Sequence, residues 1–463
     1  MNLTRLSVSG RLLTSFTSTI RGQVFPTTQR YVASNSDRLI KQEKEFSAKN
    51  YNPIPAVLEE GSGIELTDAD GKDFVDFLSA YSAVNQGHQH PRIVAAMKDQ
   101  LDRLALTSRA FHNTEFPAFA EKITDVFGYE KVMPMNTGAE AVETAIKIAR
   151  KWAYDVKGVP VDEALIISCC GCFHGRTLAV ISMSCDPDAV SGFGPLATGF
   201  LKVDFNDADG LEAILKEHGH KTAAFLVEPV QGEAGVLLPH EGYLQRCREL
   251  CTQYNTLMIC DEIQSGLGRT GSMLTCTGQG VRPDMLTLGK ALSGGMYPVS
   301  CVLADNEVMN VIKPGEHGST YGGNPLAAAV AMASLDVLIE EKLPENAAKL
   351  EPIFREHLHR IMGDSPLLKE IRGMGLMFAV ELHDSPKTAW DFCMMLKKHG
   401  VLAKPTHGTI VRFTPPLVMS EDDLSGAMKQ IEAAWKEFMA MEVDASKTLP
   451  EVPICLRCGK PAK

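Results

Sequence analysis

The chain has 463 residues, 44% of them apolar and 22% charged, the make-up of a globular protein long enough for two or three domains. A net charge of −11 with no long basic run argues against a nucleic-acid or anionic-membrane partner. No stretch approaches the roughly 18–20 apolar residues that a membrane span requires.

Residues 1–36 carry Arg5, Arg11, Arg21 and Arg30 among many serines and threonines, with no acid before Asp37. That is the composition of a mitochondrial transit peptide, and it predicts a matrix location. Leu3, Leu6, Leu12, Leu13, Phe16 and Ile20 make one face of an amphipathic helix within it. Ile64 to Leu78 reads as a hairpin, because alternating apolar positions surround Asp70-Gly71.

Between Asn136 and Tyr321 helical stretches alternate with short apolar runs at 164–168, 223–227, 257–260, 285–288 and 299–303. Continuous apolar runs separated by helices predict an α/β fold with a mostly parallel sheet covered on both faces, joined by right-handed crossovers. Pro325 to Glu341 reads as a long helix through Leu326, Val330, Ala333 and Val337. From Leu350 onward, helices with short strands at Met377–Val380 and Ile410–Phe413 predict a smaller α+β domain, joined in space by the N-terminal hairpin. The expected division is 37–84 with the small domain, 85–330 as the large domain, 331–443 as the small domain, and a tail from 444 to 463.

Of the twelve cysteines, Cys260 and Cys301 lie in apolar runs as buried thiols. Cys169, Cys170 and Cys172 cluster without a second set, and Cys455 with Cys458 is half a zinc site, so no metal is expected.

Four motifs stand at the carboxyl ends of these strands or at helix starts. Asn136-Thr137-Gly138-Ala139 opens a helix, where free amides and the dipole favour phosphate. Phe173-His174-Gly175-Arg176 offers an aromatic face and a carboxylate-binding guanidinium. Glu228-Pro229-Val230-Gln231-Gly232-Glu233 follows a third strand, and Asp261-Glu262 a fourth. Asp261 would be costly to bury without a cation. Lys290 follows the run Met285–Leu288. An amine that can join an aldehyde and an acid that keeps a pyridine nitrogen protonated, at one edge of a sheet, are what pyridoxal 5'-phosphate chemistry needs.

With these motifs the chain resembles the class-III (ω-amino) aminotransferases of pyridoxal-phosphate fold type I, from about Asn50 to Phe438. The stretches Asn50–Pro55, Tyr81–His88, Lys313–Pro325 and Leu402–Gly408 narrow the resemblance to members that use the δ-amine of ornithine. The resemblance implies a three-layer α/β/α large domain with a smaller α+β domain, and a homodimer or higher homo-oligomer. It also implies ping-pong transfer from L-ornithine to 2-oxoglutarate, giving L-glutamate 5-semialdehyde and L-glutamate, between arginine and proline metabolism.

By the same resemblance Lys290 carries the cofactor and shuttles protons, Asp261 pairs with the ring nitrogen, and Phe173 stacks on the ring. Gly138, Ala139 and Thr320 bind the phosphate, Thr320 from the other subunit, and Gln264 lies near the phenolic oxygen. Tyr51, Tyr81, Arg176 and Arg412 form the substrate pocket, the arginines as carboxylate clamps, with Glu233 neutralising Arg412 when ornithine binds. The family usually carries a larger aromatic where this chain has His174, so that wall departs from the pattern. Alternatives are a related ω-aminotransferase acting on acetylornithine or 4-aminobutyrate, or a non-catalytic scaffold, against which Lys290 and Asp261 argue. A nicotinamide dehydrogenase would need a GxGxxG after a first strand, and none is found.

Overall fold

The computed structural model describes residues 34–442. The tail cysteines and most of the transit-peptide segment lie outside the described residues. The expected presequence boundary at 36 overlaps described structure, because Ser34 caps a helix running Asn35–Phe46.

A seven-stranded sheet forms the centre. Its spatial order is Lys131–Met135, Ser300–Ala304, Met285–Leu288, Leu257–Asp261, Thr222–Val227, Leu165–Cys169 and Phe200–Val203. Successive pairs from Met285–Leu288 to Phe200–Val203 are parallel, whereas Ser300–Ala304 runs antiparallel to both of its neighbours. The five runs named from sequence are all strands, each within a residue or so at either end. Leu226, Ile259 and Leu286 are fully enclosed, which is why these strands read as unbroken apolar runs. Helix Gly138–Trp152 covers one face through Val142, Ala145 and Ile148, and Tyr243–Gln253 covers the other through Leu244 and Cys247.

The hairpin around Asp70-Gly71 forms as expected, with Leu66 opposite Phe74. Its second strand, Asp73–Asp76, pairs in parallel with Val401–Leu402, tying the N-terminal segment to the C-terminal part. There a four-stranded sheet in the order Leu368–Met374, Met377–Leu382, Ile410–Phe413, Lys404–Thr406 packs on helix Leu343–Met362. Phe354 of that helix meets Phe77, Phe378 and Phe413 in edge and tilted contacts, so the core crosses all three stretches of sequence. Helix Pro325–Glu340 starts with Asn324 capping the Ala327 amide and a proline at its first position.

Arg269 is fully buried between these parts. Its guanidinium donates to the carbonyls of Leu376 (2.9 Å) and Pro415 (2.6 Å) and to Asn85 Oδ1 (2.5 Å). The link joins the turn after Asp261 to both the N-terminal and the C-terminal segments.

Candidate active site

Adjacent parallel strands place Asp261 opposite Thr287, three residues before Lys290. Lys290 and Asp261 therefore enter one cavity of about 180 Å³, together with Gly138, Ala139, Phe173 and Gln264. Six of the seven residues assigned to the cofactor from sequence thus meet in a single pocket. The seventh, Thr320, lies on an exposed loop and does not line it. Lys290 holds a left-handed backbone (φ 45°) at the head of a short helical turn, a conformation that a non-glycine residue adopts at a cost. Burial pushes its amine below the ordinary lysine range, against the pull of Glu233 and Asp261.

Asp261 is held from three sides. Oδ2 meets Nδ1 of His174 at 2.7 Å, and Oδ1 accepts from the amide of Ile263 and the hydroxyl of Thr287, both at 3.1 Å. His174 is thus not an outer wall of the substrate pocket; its ring supports the acid. Burial works against the imidazole's charge, but Cys172 and Asp261 outweigh it and raise its affinity for a proton well above the ordinary value. Glu228, at the end of Thr222–Val227, accepts from the Phe173 amide at 2.9 Å. Burial raises its carboxyl to about 8. Two acids from two strand ends therefore fix the Phe173-His174 turn, one through the backbone and one through the side chain.

At the helix start, Thr137 Oγ1 accepts from Glu140 N while the Glu140 carboxylate turns back to the amides of Asn136 and Thr137. Among the described residues the amides of Gly138 and Ala139 take no partner, so they remain for an anion. Space is tight around this cradle: a Cβ at Gly175 would stand 2.8 Å from Ala139 Cβ.

The residues expected from sequence to meet the substrate gather around Arg412, which is 3% exposed. Its Nη1 donates to Glu233 Oε1 at 2.7 Å, and its guanidinium lies 5.2 Å from the centre of the Tyr81 ring. Burial pushes Glu233 up, but Arg412 outweighs it and holds the carboxyl below the ordinary range. Gln264 Nε2 approaches the same carboxylate at 3.4 Å, so it joins the Arg412–Glu233 pair to the cavity that holds Lys290 and Asp261. Tyr81 sits in a run, Ser79 to Ser82, whose four φ angles are all positive (49°, 47°, 61°, 69°).

Tyr51 is 74% exposed and shares a cavity of about 420 Å³ with Tyr81 and Lys404. Arg176 is also open, its side chain 57% exposed, 5.4 Å from the Phe173 ring and 3.6 Å from Asp186. The two arginines differ in kind: one is enclosed with a tight partner, the other exposed with a loose one.

Sequence reasoning missed two supports of Asp261, the His174 contact and Thr287, and the part Glu228 plays in holding the Phe173 amide. Thr287 left a signal, a lone hydroxyl within the apolar run before Lys290.

A sheet whose strand ends gather lysine, acid, aromatic and anion-binding amides defines a pyridoxal-phosphate-type transferase. The family model for class-III aminotransferases matches residues 46–435, and the chain belongs to that family. An Arabidopsis thaliana protein, "Ornithine aminotransferase, mitochondrial", is 56% identical over 92% of this chain and 91% of its own length. The solved ornithine aminotransferase from Toxoplasma gondii is 44% identical with a TM-score of 0.86, covering 88% of this chain and 97% of that one. A solved acetylornithine aminotransferase from Elizabethkingia anophelis is 49% identical with a TM-score of 0.80, covering 88% of this chain and all of that one.

Proposed function

We propose that this chain is a pyridoxal-phosphate-dependent transaminase that moves the δ-amino group of L-ornithine to 2-oxoglutarate, yielding L-glutamate 5-semialdehyde and L-glutamate. The residues fit the cofactor: unpartnered amides at Gly138 and Ala139 for its phosphate, Phe173 for its ring, an acid already ordered at Asp261, and an amine at Lys290 in the same cavity. When bound, the group supplies an aldehyde that takes up the substrate amine and a ring that accepts the electron pair of a broken C–H bond.

The chain's own residues do the rest. Lys290, its proton affinity lowered by burial, gives up the proton at Nζ more readily than an exposed lysine would. Asp261, fixed by His174, Ile263 N and Thr287, presents its charge to the ring nitrogen without having to reorganise. Arg176 binds the carboxylate distant from the reacting carbon in each substrate, and Tyr51 lies near the α-amino group of ornithine.

The observation that carries the reading is the buried Arg412–Glu233 pair. Ornithine brings no carboxylate to its reacting end, whereas 2-oxoglutarate brings one beside its keto group. With the pair closed, no unpaired positive charge faces the δ-methylene. When Glu233 gives way, Arg412 takes the keto acid's α-carboxylate.

The stretch Lys404–Gly408 supports ornithine over the related amines. Lys404 Nζ donates to Asn52 O (3.1 Å), beside Tyr51, while Thr406 Oγ1 (3.2 Å) and His407 Nε2 (3.0 Å) reach the Glu233 carbonyl. N-Acetylornithine is the second reading, favoured by the similarity to the Elizabethkingia enzyme. A coupled assay comparing ornithine, N-acetylornithine and 4-aminobutyrate with 2-oxoglutarate and added cofactor separates them. Ornithine should lead in kcat/KM, and a lead for either other amine refutes the assignment.

The working form is proposed to be a homodimer in which Thr320 serves the partner's phosphate site; its exposed position supports this. The location is proposed to be the mitochondrial matrix, on the composition of residues 1–36 and the mitochondrial names of the Arabidopsis and Oryza relatives. A fluorescent fusion with and without residues 1–36 tests it.

A further inference from the structure

Behind Asp261, the supporting His174 is followed by a thiol and an ammonium, Cys172 and Lys202, that transamination does not use. His174 is wholly enclosed on its side chain, with Nδ1 on Asp261. Its Nε2 is buried, and the group that acts on this ring besides Asp261 is Cys172. Two residues earlier, Cys172 is buried with its Sγ 3.5 Å from the Lys202 ammonium and 3.3 Å from the carbonyl oxygen of Met183. Lys202 comes from the neighbouring strand, Phe200–Val203, and also donates to the Cys169 carbonyl at 3.2 Å. Burial works against its charge, and the strongest influences that hold its proton are thiols, Cys172 first.

A thiol buried in apolar surroundings is inert, whereas one placed beside a lysine and a histidine is poised to ionise. Both cases occur in this chain. Cys301 and Cys393 are driven up by burial. Burial also pushes Cys172 up, yet Lys202 and then His174 outweigh it and bring the thiol down to about 7. The Cys170-Gly171 turn next to it is half-buried, so Cys172 lies one turn below the surface.

We propose that Cys172, set between Lys202 and the His174–Asp261 pair, is a peroxide-reactive thiol whose oxidation loosens the cofactor. The proposal rests on the reading of Asp261 as the acid that pairs with the cofactor's ring nitrogen. In the reaction the Cys172 thiolate attacks one oxygen of hydrogen peroxide and the O–O bond breaks. Sulfur is oxidised by two electrons to the sulfenic acid, and the other oxygen leaves as hydroxide, which takes a proton from solvent to become water. The negative charge beside His174 is then gone, and an extra oxygen must fit into a packed site under the Phe173-His174 turn. Both changes act on the groups that set Asp261 and Phe173.

The test uses the holoenzyme, treated with limiting hydrogen peroxide in the presence of a cyclic 1,3-diketone that traps sulfenic acids, followed by peptide mass spectrometry. Cys172 should be labelled about tenfold or more faster than Cys301 or Cys393, with a rate that rises through pH 7. Lys202→Met should slow it about tenfold, and the pH–rate curve of the parent carries the same information if that variant does not fold. Oxidised holoenzyme should release its cofactor on dialysis about fivefold faster than untreated protein, followed by absorbance and reversed by a thiol reductant. Labelling of Cys172 no faster than Cys301, or labelling with unchanged release, overturns the proposal. If instead Asp261→Asn holds the cofactor as firmly as the parent, the reading of Asp261 beneath it falls, whatever Cys172 does.

Discussion

Replacing Glu233 by alanine perturbs the Arg412 gate directly, and the structure sets the size of the effect. Arg412 is 3% exposed, Glu233 accepts from its Nη1 at 2.7 Å, and Arg412 Nε has no partner among the described residues. A charge-assisted hydrogen bond of this kind is worth about 1.5–3 kcal/mol. At about 1.4 kcal/mol per factor of ten, this corresponds to roughly 10- to 150-fold in relative binding. A substrate that brings a carboxylate beside its reacting carbon must displace Glu233 in the parent but not in the variant. A substrate that brings only methylenes there then meets an unpaired guanidinium. The ratio of δ- to α-amino transfer from ornithine should therefore fall by about 10- to 150-fold in Glu233→Ala. Glu233→Gln, which keeps a neutral acceptor, should fall between. The assay incubates ornithine and 2-oxoglutarate with each variant and separates glutamate 5-semialdehyde from the α-keto acid product by chromatography. If the ratio stayed within about twofold while the protein remained folded and cofactor-bound, Glu233 would not be the gate.

Arg176→Ala should raise KM for both ornithine and 2-oxoglutarate, each by about tenfold or more, since both place a carboxylate there; an effect on one substrate alone would refute a shared clamp. Glu228 holds its proton up to about 8 in the fold and to about 4.3 in the unfolded chain, so its contribution is fully present below about pH 4.3 and is lost as pH rises through 8. Glu228→Gln keeps an acceptor for the Phe173 amide without the charge, so its stability relative to the parent should improve from about pH 4.5 to 8, read by urea unfolding of the cofactor-free proteins; a flat difference would mean that the acid is not raised. Ala80, exposed at φ 47° within the left-handed run that carries Tyr81, should gain up to about 1 kcal/mol on replacement by glycine, and a loss in the same unfolding assay would refute strain there. Lys157 Nζ lies 2.6–3.2 Å from the carbonyls of Gly219, Thr222, Tyr254 and Asn255, and its three N–H groups are shared among them; Lys157→Met should cost about 2–4 kcal/mol by removing these donors, and a neutral result would mean that water replaces it.

What was legible in the sequence follows from burial on two faces. Leu257–Asp261 and Met285–Leu288 are enclosed on both sides, so only Thr287 interrupts their apolar runs and their ends could be read to within a residue. Lys131–Met135 and Phe200–Val203 lie at the sheet's edges, carry Lys131, Pro134 and Lys202, and are only partly buried, so neither continuity nor alternation marks them. The left-handed turn at Ser79–Ser82 is illegible for another reason. Its residues have no preference for positive φ, and the conformation is imposed by Asp76, which takes the amides of Leu78 and Ser79, and by Ser79 Oγ on the Thr414 carbonyl. A contact 335 positions away cannot be read from a local window.

The cofactor acid lies between these cases. The cost of burying Asp261 announces that some donor must meet it; local sequence supplies only the Ile263 amide, and Thr287 comes from the adjacent strand 26 residues on. The charged donor, His174, is 87 residues upstream and follows a strand that is not Asp261's neighbour. Strand order decides the match: Leu165–Cys169 stands two positions from Leu257–Asp261, about 10 Å across the sheet, with only Thr222–Val227 between. The four residues between Cys169 and His174 can span that distance, and Glu228 at the end of the intervening strand pins the turn at Phe173 on the way. The acid's need is therefore written in its own segment. Its partner is written in the order of the strands, which is why His174 reads from sequence as a departure in a pocket wall and from the fold as the support of Asp261.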